Sequence, residues 1–130
     1  MLMDKELLFS EGQAVTATAA STNSLDVGAG VGQGEPIEVF VLVTEDFDNL
    51  TDLIVTLEGS SDDGVSDSFA TVLSSPAIAL ASLKAGTEVF KVAVPAGTER
   101  YLQLKYTVNG TNPTTGKITA GLIIDRQTNV

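Results

Sequence analysis

Short runs rich in Val, Ile, Thr and Leu recur every ten to fifteen residues along this chain, separated by clusters of Gly, Pro, Asn, Asp and Ser. That punctuation constrains the fold most, because it leaves room for strands of four to eight residues and almost none for helices. Strands are expected at 14–19, 24–27, 37–43, 53–58, 69–73, 88–94, 101–108 and 117–124. Two of these alternate cleanly. In 101–108, Leu102, Leu104, Tyr106 and Val108 share one face, and in 117–124 Ile118, Ala120, Leu122 and Ile124 do. The run at 37–43 (IEVFVLV) is apolar on both faces apart from Glu38, the mark of a strand covered on both sides. Only 76–84 (PAIALASLK) has a composition that admits a helix, and 108–117 (VNGTNPTTGK) reads as a wide hairpin loop.

About eight strands in 130 residues, with no β-α alternation, predict an all-β fold: an antiparallel β-sandwich of jelly-roll type with little or no helix. A content of 43% hydrophobic residues suffices for one packed core. The expected organisation is an N-terminal arm at 1–12 followed by a single sandwich domain at 13–130.

The chain has no His, Cys or Trp. Ser-His-Asp and Cys-His nucleophilic catalysis, His-based zinc sites, haem ligation by His or Cys, and disulfide frameworks are therefore excluded. Seven basic residues against seventeen acids give a net charge of −10, the wrong sign for wrapping nucleic acid or lying on an anionic membrane. Between Glu6 and Leu83 there are thirteen acids and no base. No apolar run approaches the roughly 20 residues that span a bilayer, and the acidic start Met1–Phe9 does not read as a signal peptide.

The motifs that suggest chemistry fail on context. Gly28, Gly30, Gly32 and Gly34 are followed by Glu35-Pro36 and a strand, so the helix N-terminus a phosphate loop needs is missing. The acids at 62, 63 and 67, and those at 45, 46, 48 and 52, lack the alternation and closing glutamate of a calcium loop, and both groups read as solvated loops without metal. Paired carboxylates could serve glycoside hydrolysis, but seven aromatics are few for stacking sugars. Asn49-Leu50-Thr51 and Asn109-Gly110-Thr111 match the glycosylation pattern, idle without export. No enzyme activity and no cofactor are expected.

Pro95-Ala96-Gly97-Thr98-Glu99-Arg100 leads by a turn into the patterned strand 101–108. Together with Leu7-Leu8-Phe9-Ser10, Gln13-Ala14-Val15-Thr16 and the closing Ile118-Thr119-Ala120-Gly121-Leu122-Ile123-Ile124-Asp125, it resembles the jelly-roll capsid cement, or head decoration, proteins of tailed bacteriophages. The resemblance covers nearly the whole chain and rests on structural motifs. It implies a virion protein on the outer surface of the capsid, made in the host cytoplasm. Such a protein binds the assembled head, joins neighbouring major capsid proteins and carries no catalytic residue.

Under that implication the expected partners are the major capsid protein and a second copy of the chain, a dimer before a trimer, with no nucleic acid or membrane. Three sets of residues are candidates for the interface. Leu2, Leu7, Leu8 and Phe9 form an apolar arm. Val39 and Val41 face one way on the 37–43 strand and Phe40 and Leu42 the other, so one set needs a cover besides the opposite sheet. Glu45, Asp46 and Asp48 are the acids expected to meet basic groups on the coat. The alternatives are a tail, neck or baseplate sandwich and, further off, a carbohydrate- or calcium-binding surface module.

Overall fold

The computed structural model describes residues 8–26, 37–93 and 101–124. Among them are ten strands: β1 (Leu8–Ala14), β2 (Ala19–Ala20), β3 (Leu25–Asp26), β4 (Ile37–Glu45), β5 (Leu50–Ser60), β6 (Ala70–Ser74), β7 (Ile78–Ala79), β8 (Glu88–Ala93), β9 (Tyr101–Gly110) and β10 (Lys117–Ile124). Among the same residues a 3-10 turn covers Leu80–Ser82.

The strands form two antiparallel sheets. One has the order β1-β10-β4-β8; the other has β9 and β5 at its centre, with β2 and β3 along the outer side of β9 and β6 and β7 along that of β5. Taking β2 with β3 and β6 with β7 as interrupted strands leaves eight positions, in jelly-roll order. The logic is that of one long folded ribbon. The first half of the chain pairs antiparallel with the second: β1 with β10, β2 and β3 with β9, β4 with β8, and β5 with β6 and β7. Wrapping the ribbon then joins β10 to β4 and β9 to β5.

The core is the alternate residues of the long strands. Val39, Val41 and Val43 of β4 and Ile118, Ala120 and Leu122 of β10 meet Leu53, Val55 and Leu57 of β5 and Leu102, Leu104 and Tyr106 of β9. Each aliphatic side chain removed from water this way contributes about 1.5–3 kcal/mol. All the outer strands are short or irregular. β1 and β8 at the edges of the first sheet carry register shifts, as does β6, while β2, β3 and β7 have two residues each. Such breaks blunt edges that would otherwise template further pairing.

The structure corrects the sequence reading in four places. Residues 14–19 are not one strand: β1 ends at Ala14 and β2 begins at Ala19, with an irregular crossing between them that exposes Thr16, Ala17 and Thr18. Residues 8–12, expected in an arm, are strand residues of β1. The 108–117 linker is not a hairpin loop, because β9 and β10 lie in different sheets. Residues 76–84 fold as β7 and the 3-10 turn, not as an α-helix. The glycine run 28–34 lies outside the described residues.

Candidate interaction surface

At one end of the sandwich, four connections meet: 15–18, 46–49, 80–87 and 111–116. The segment at 45–48 holds them together. Thr114 and Thr115 donate their backbone N–H groups to Asp48 Oδ1 at 2.6 and 3.1 Å, and the Thr114 hydroxyl donates to Asp48 Oδ2. Gly116 N–H donates to Glu45 Oε1 at 3.1 Å, and the Thr115 hydroxyl to the Asp46 carbonyl at 2.9 Å. On the other side, Ala85 N–H donates to Asp46 Oδ1 at 2.7 Å and Phe47 N–H to the Leu83 carbonyl at 3.0 Å. Val15 N–H closes the set on the Gly116 carbonyl at 3.0 Å, and Val108 N–H on Thr18 Oγ1 at 2.9 Å. The Thr114 hydroxyl, and then the N–H groups of Thr115 and Thr114, hold the Asp48 carboxyl below its ordinary pKa, because each bond favours the ionised form. Phe47 fills the space beneath. A Cβ at Gly116, whose φ is +135°, would lie 2.5–2.7 Å from its ring, so only glycine fits there.

The opposite end is different in character. The 61–69 connection is an acidic loop folded on itself. Asp62 accepts the N–H groups of Ser66 and Asp67 at 2.8 and 3.0 Å, which lower its pKa, with Asp67 the larger cause. Asp67 Oδ2 accepts the N–H and hydroxyl of Ser61, both at 2.9 Å, and Ser24 reaches across to Asp63 Oδ1 at 2.6 Å. Val65 stands 83% exposed at the tip. Among the described residues no group of three or more His, Cys, Asp or Glu is placed to hold a metal ion.

The two outer sheet faces differ as well. On the β1-β10-β4-β8 face, Phe40 is 0% exposed and packs with Leu8, and Lys91 Nζ lies 3.5 Å from Glu38 Oε1. The β9-β5 face is polar, with Gln103 donating to Glu58 at 2.8 Å beside exposed Lys105. Between the free sides of β7 and β8 runs an open groove of about 450 Å³ whose only ionisable side chain is Glu88.

The candidate interface residues are thus dispersed. Phe9, Val39 and Val41 are in the core; Leu8 and Phe40 form their own buried pair, and Leu42 is half-buried. Double-sided burial of β4 follows the sequence expectation, and the cover of Phe40 lies within a single chain. Glu45, Asp46 and Asp48 are brought together, but their oxygens face neighbouring loops of their own chain. Leu2 and Leu7 lie outside the described residues. The hydroxyls and amides that answer the acids, at Thr114, Thr115 and Gly116, were not anticipated. The one available signal was an acidic loop and a Thr-Gly loop, each adjoining an end of a long strand.

Residues 9–122 match the model of the Bbp16 family. No curated protein matches the chain. The matched span leaves out eight residues at each end and takes in nearly all of the jelly-roll ribbon, from β1 to most of β10, along with the connections 15–18, 46–49, 80–87 and 111–116. A match of that extent is a match of the whole fold, and the chain belongs to the Bbp16 family.

Proposed function

We propose that this protein is a structural component of the head of a tailed bacteriophage, binding the outer surface of the assembled capsid and cementing neighbouring major capsid proteins. The observation that carries the proposal is the pairing of a Bbp16 match over residues 9–122 with a jelly-roll sandwich, the fold implied by the resemblance to capsid cement proteins. The physical demands of the role are modest. A shell under outward pressure is strengthened by anything bound across its subunit boundaries, because separating the subunits must also break the added contacts. Rigidity, copy number and a complementary face are enough.

Electron microscopy of virions tests this directly. Density for one small sandwich per copy, seated on the outside of the head lattice across coat boundaries, is the expected result. Density confined to the tail, neck or baseplate would transfer the protein to that structure, and purified heads lacking the protein that never take it up would overturn the proposal.

A further inference from the structure

We propose that Asn109 is a site of spontaneous modification, losing its side-chain amide as ammonia to attack by the Gly110 nitrogen, and that Asp52 on the neighbouring strand controls the reaction. Asn109-Gly110 is the one Asn-Gly dipeptide in the chain; the other asparagines precede Ser24, Leu50, Pro113 and Val130. Ring closure between an asparagine side chain and the next backbone nitrogen is least hindered when the next residue has no side chain. The fold leaves no alternative to that glycine. Gly110 has a φ of +91°, and a Cβ on it would lie 2.5 Å from Thr51 Oγ1 and 2.9 Å from Thr51 N. Thr51 stands there because β5 carries one extra residue at this point: Asp52 faces Asn109 and Leu50 faces Gly110. The reactive dipeptide is thus built into a bulge.

Two features hold the amide back while the sheet is closed. Asn109 Nδ2 donates to Asp52 Oδ1 at 2.6 Å, which ties the leaving nitrogen to the next strand. Asn109 is also a strand residue of β9, so its side chain stands away from the sheet while the following nitrogen lies within it. Closing the ring therefore requires the last residues of β9 to leave the ladder. Strand ends open at low cost, and both Asn109 and Gly110 are exposed to water.

The chemistry balances with water alone. The Gly110 nitrogen gives up its proton and bonds to Asn109 Cγ; the Cγ–Nδ2 bond breaks, and ammonia leaves with that proton. Water then opens the cyclic imide at either carbonyl. One opening gives aspartate and the other isoaspartate, in which the backbone runs through the side chain. In both products the donor to Asp52 has become a second carboxylate, and like charges directly opposite on paired strands repel. Isoaspartate also lengthens the backbone where β9 passes into the 111–116 connection. The strand end that opened to allow the reaction is then kept from closing. Asn109 ages in this way whether or not the chain sits on a capsid.

The test incubates the full chain at mildly alkaline pH and follows each asparagine by peptide mass spectrometry with an isoaspartate assay. Carboxylate is expected at 109 before 23 or 49, while Asn112, followed by a proline with no N–H to attack, stays intact. Unfolding in urea should speed the loss at Asn109 by about 10-fold or more, and Asp52→Ala by about 3-fold in chains whose melting temperature shows them folded. Asp52→Val, which keeps strand propensity, replaces that variant if the alanine loosens the sheet. Asn109→Asp should lower the melting temperature, and adding Asp52→Asn, which returns a donor to face the new carboxylate, should restore most of the loss. An amide at 109 that survives in urea, or that outlasts those at 23 and 49 in the folded chain, would overturn the proposal. So would equal rates in folded and unfolded chains, a folded rate indifferent to removal of the Asp52 carboxylate, or an Asn109→Asp chain as stable as the unaltered one.

Discussion

Tyr106 and Ser10 share a hydrogen bond of 2.7 Å across the interior of the sandwich, one from β9 and the other from β1 in the opposite sheet. Ser10 donates its own proton to Gln13 Oε1 at 2.6 Å, so Tyr106 is the donor between them. Gln13 then reaches the Ala20 carbonyl and the Thr22 N–H, at 3.0 and 2.8 Å. A polar thread thus runs from the core through the edge strand to the β2–β3 connection, and it fixes where β1 sits.

The thread makes an asymmetric prediction. Ser10→Ala leaves the buried Tyr106 hydroxyl without an acceptor and should cost about 1–3 kcal/mol, whereas Tyr106→Phe removes the donor and leaves Ser10 still bonded to Gln13, and should cost about 0.5–1.5 kcal/mol. The double substitution should cost less than the sum. Urea unfolding of the three variants measures this; equal single costs that add would show that the two residues act separately.

Tyr106 also predicts an alkaline limit. Burial pushes its pKa above the ordinary value of 10, with the Ser10 bond opposing weakly. The folded chain therefore keeps a proton that the unfolded chain releases, so stability is intact below about pH 10 and falls as the pH rises beyond it. Stability curves of the unaltered chain and Tyr106→Phe, compared from pH 8 upward, should diverge above about pH 10 with the variant the flatter.

Asp48 predicts an acid effect of opposite sign. Its pKa is depressed in the fold, so its contribution is present above the ordinary value of 3.8 and is lost as pH falls through the lowered one. Amide exchange at Thr114 and Thr115 should accelerate on acidification, relative to the intrinsic rate, and Asp48→Ala should accelerate it already at neutral pH. Unchanged protection in Asp48→Ala would show that the 111–116 loop is held by something else.

Glycine substitutions separate space from backbone strain. Gly12 has φ +58° with nothing near a Cβ, while Gly116 has φ +135° and the Phe47 ring in the way. Gly12→Ala should cost about 1 kcal/mol and Gly116→Ala about 2–4 kcal/mol, since only the second must also move an aromatic ring. Thermal melts of both variants decide it, and equal shifts would mean that Phe47 moves freely.

How far the sequence could be read depended on how many neighbours each segment needed. Periodicity placed β4, β5, β9 and β10 within a few residues, because alternate burial against the opposite sheet is written directly into Val39-Val41-Val43 and Leu102-Leu104-Tyr106. It failed at 14–19, where AVTATA alternates as a strand would, yet Val15 bonds Gly116 and Thr18 bonds Val108, so the segment crosses between sheets. It failed at 108–117 for a related reason. Turn residues announce a reversal of the chain but not which sheet the next strand joins. The acids at 45, 46 and 48 were legible as a cluster; their partners, 66 to 71 residues further on or in the 80–87 connection, were not.

The ribbon topology also governs how the chain can be made. β10 is the last of the described strands in order, yet β1 at one side and β4 at the other both depend on it for hydrogen bonds. During synthesis those two strands must wait with open edges until residue 124 has left the ribosome, and β5 waits likewise for β9. Pairings so distant in sequence close slowly, on a scale of milliseconds to seconds for folds of this kind. A nascent chain halted anywhere before β10 would present IEVFVLV with an unpaired side, the most aggregation-prone stretch it owns. The speed at which residues 88–124 are translated would then bear on the yield of folded protein, alongside the strength of the finished core.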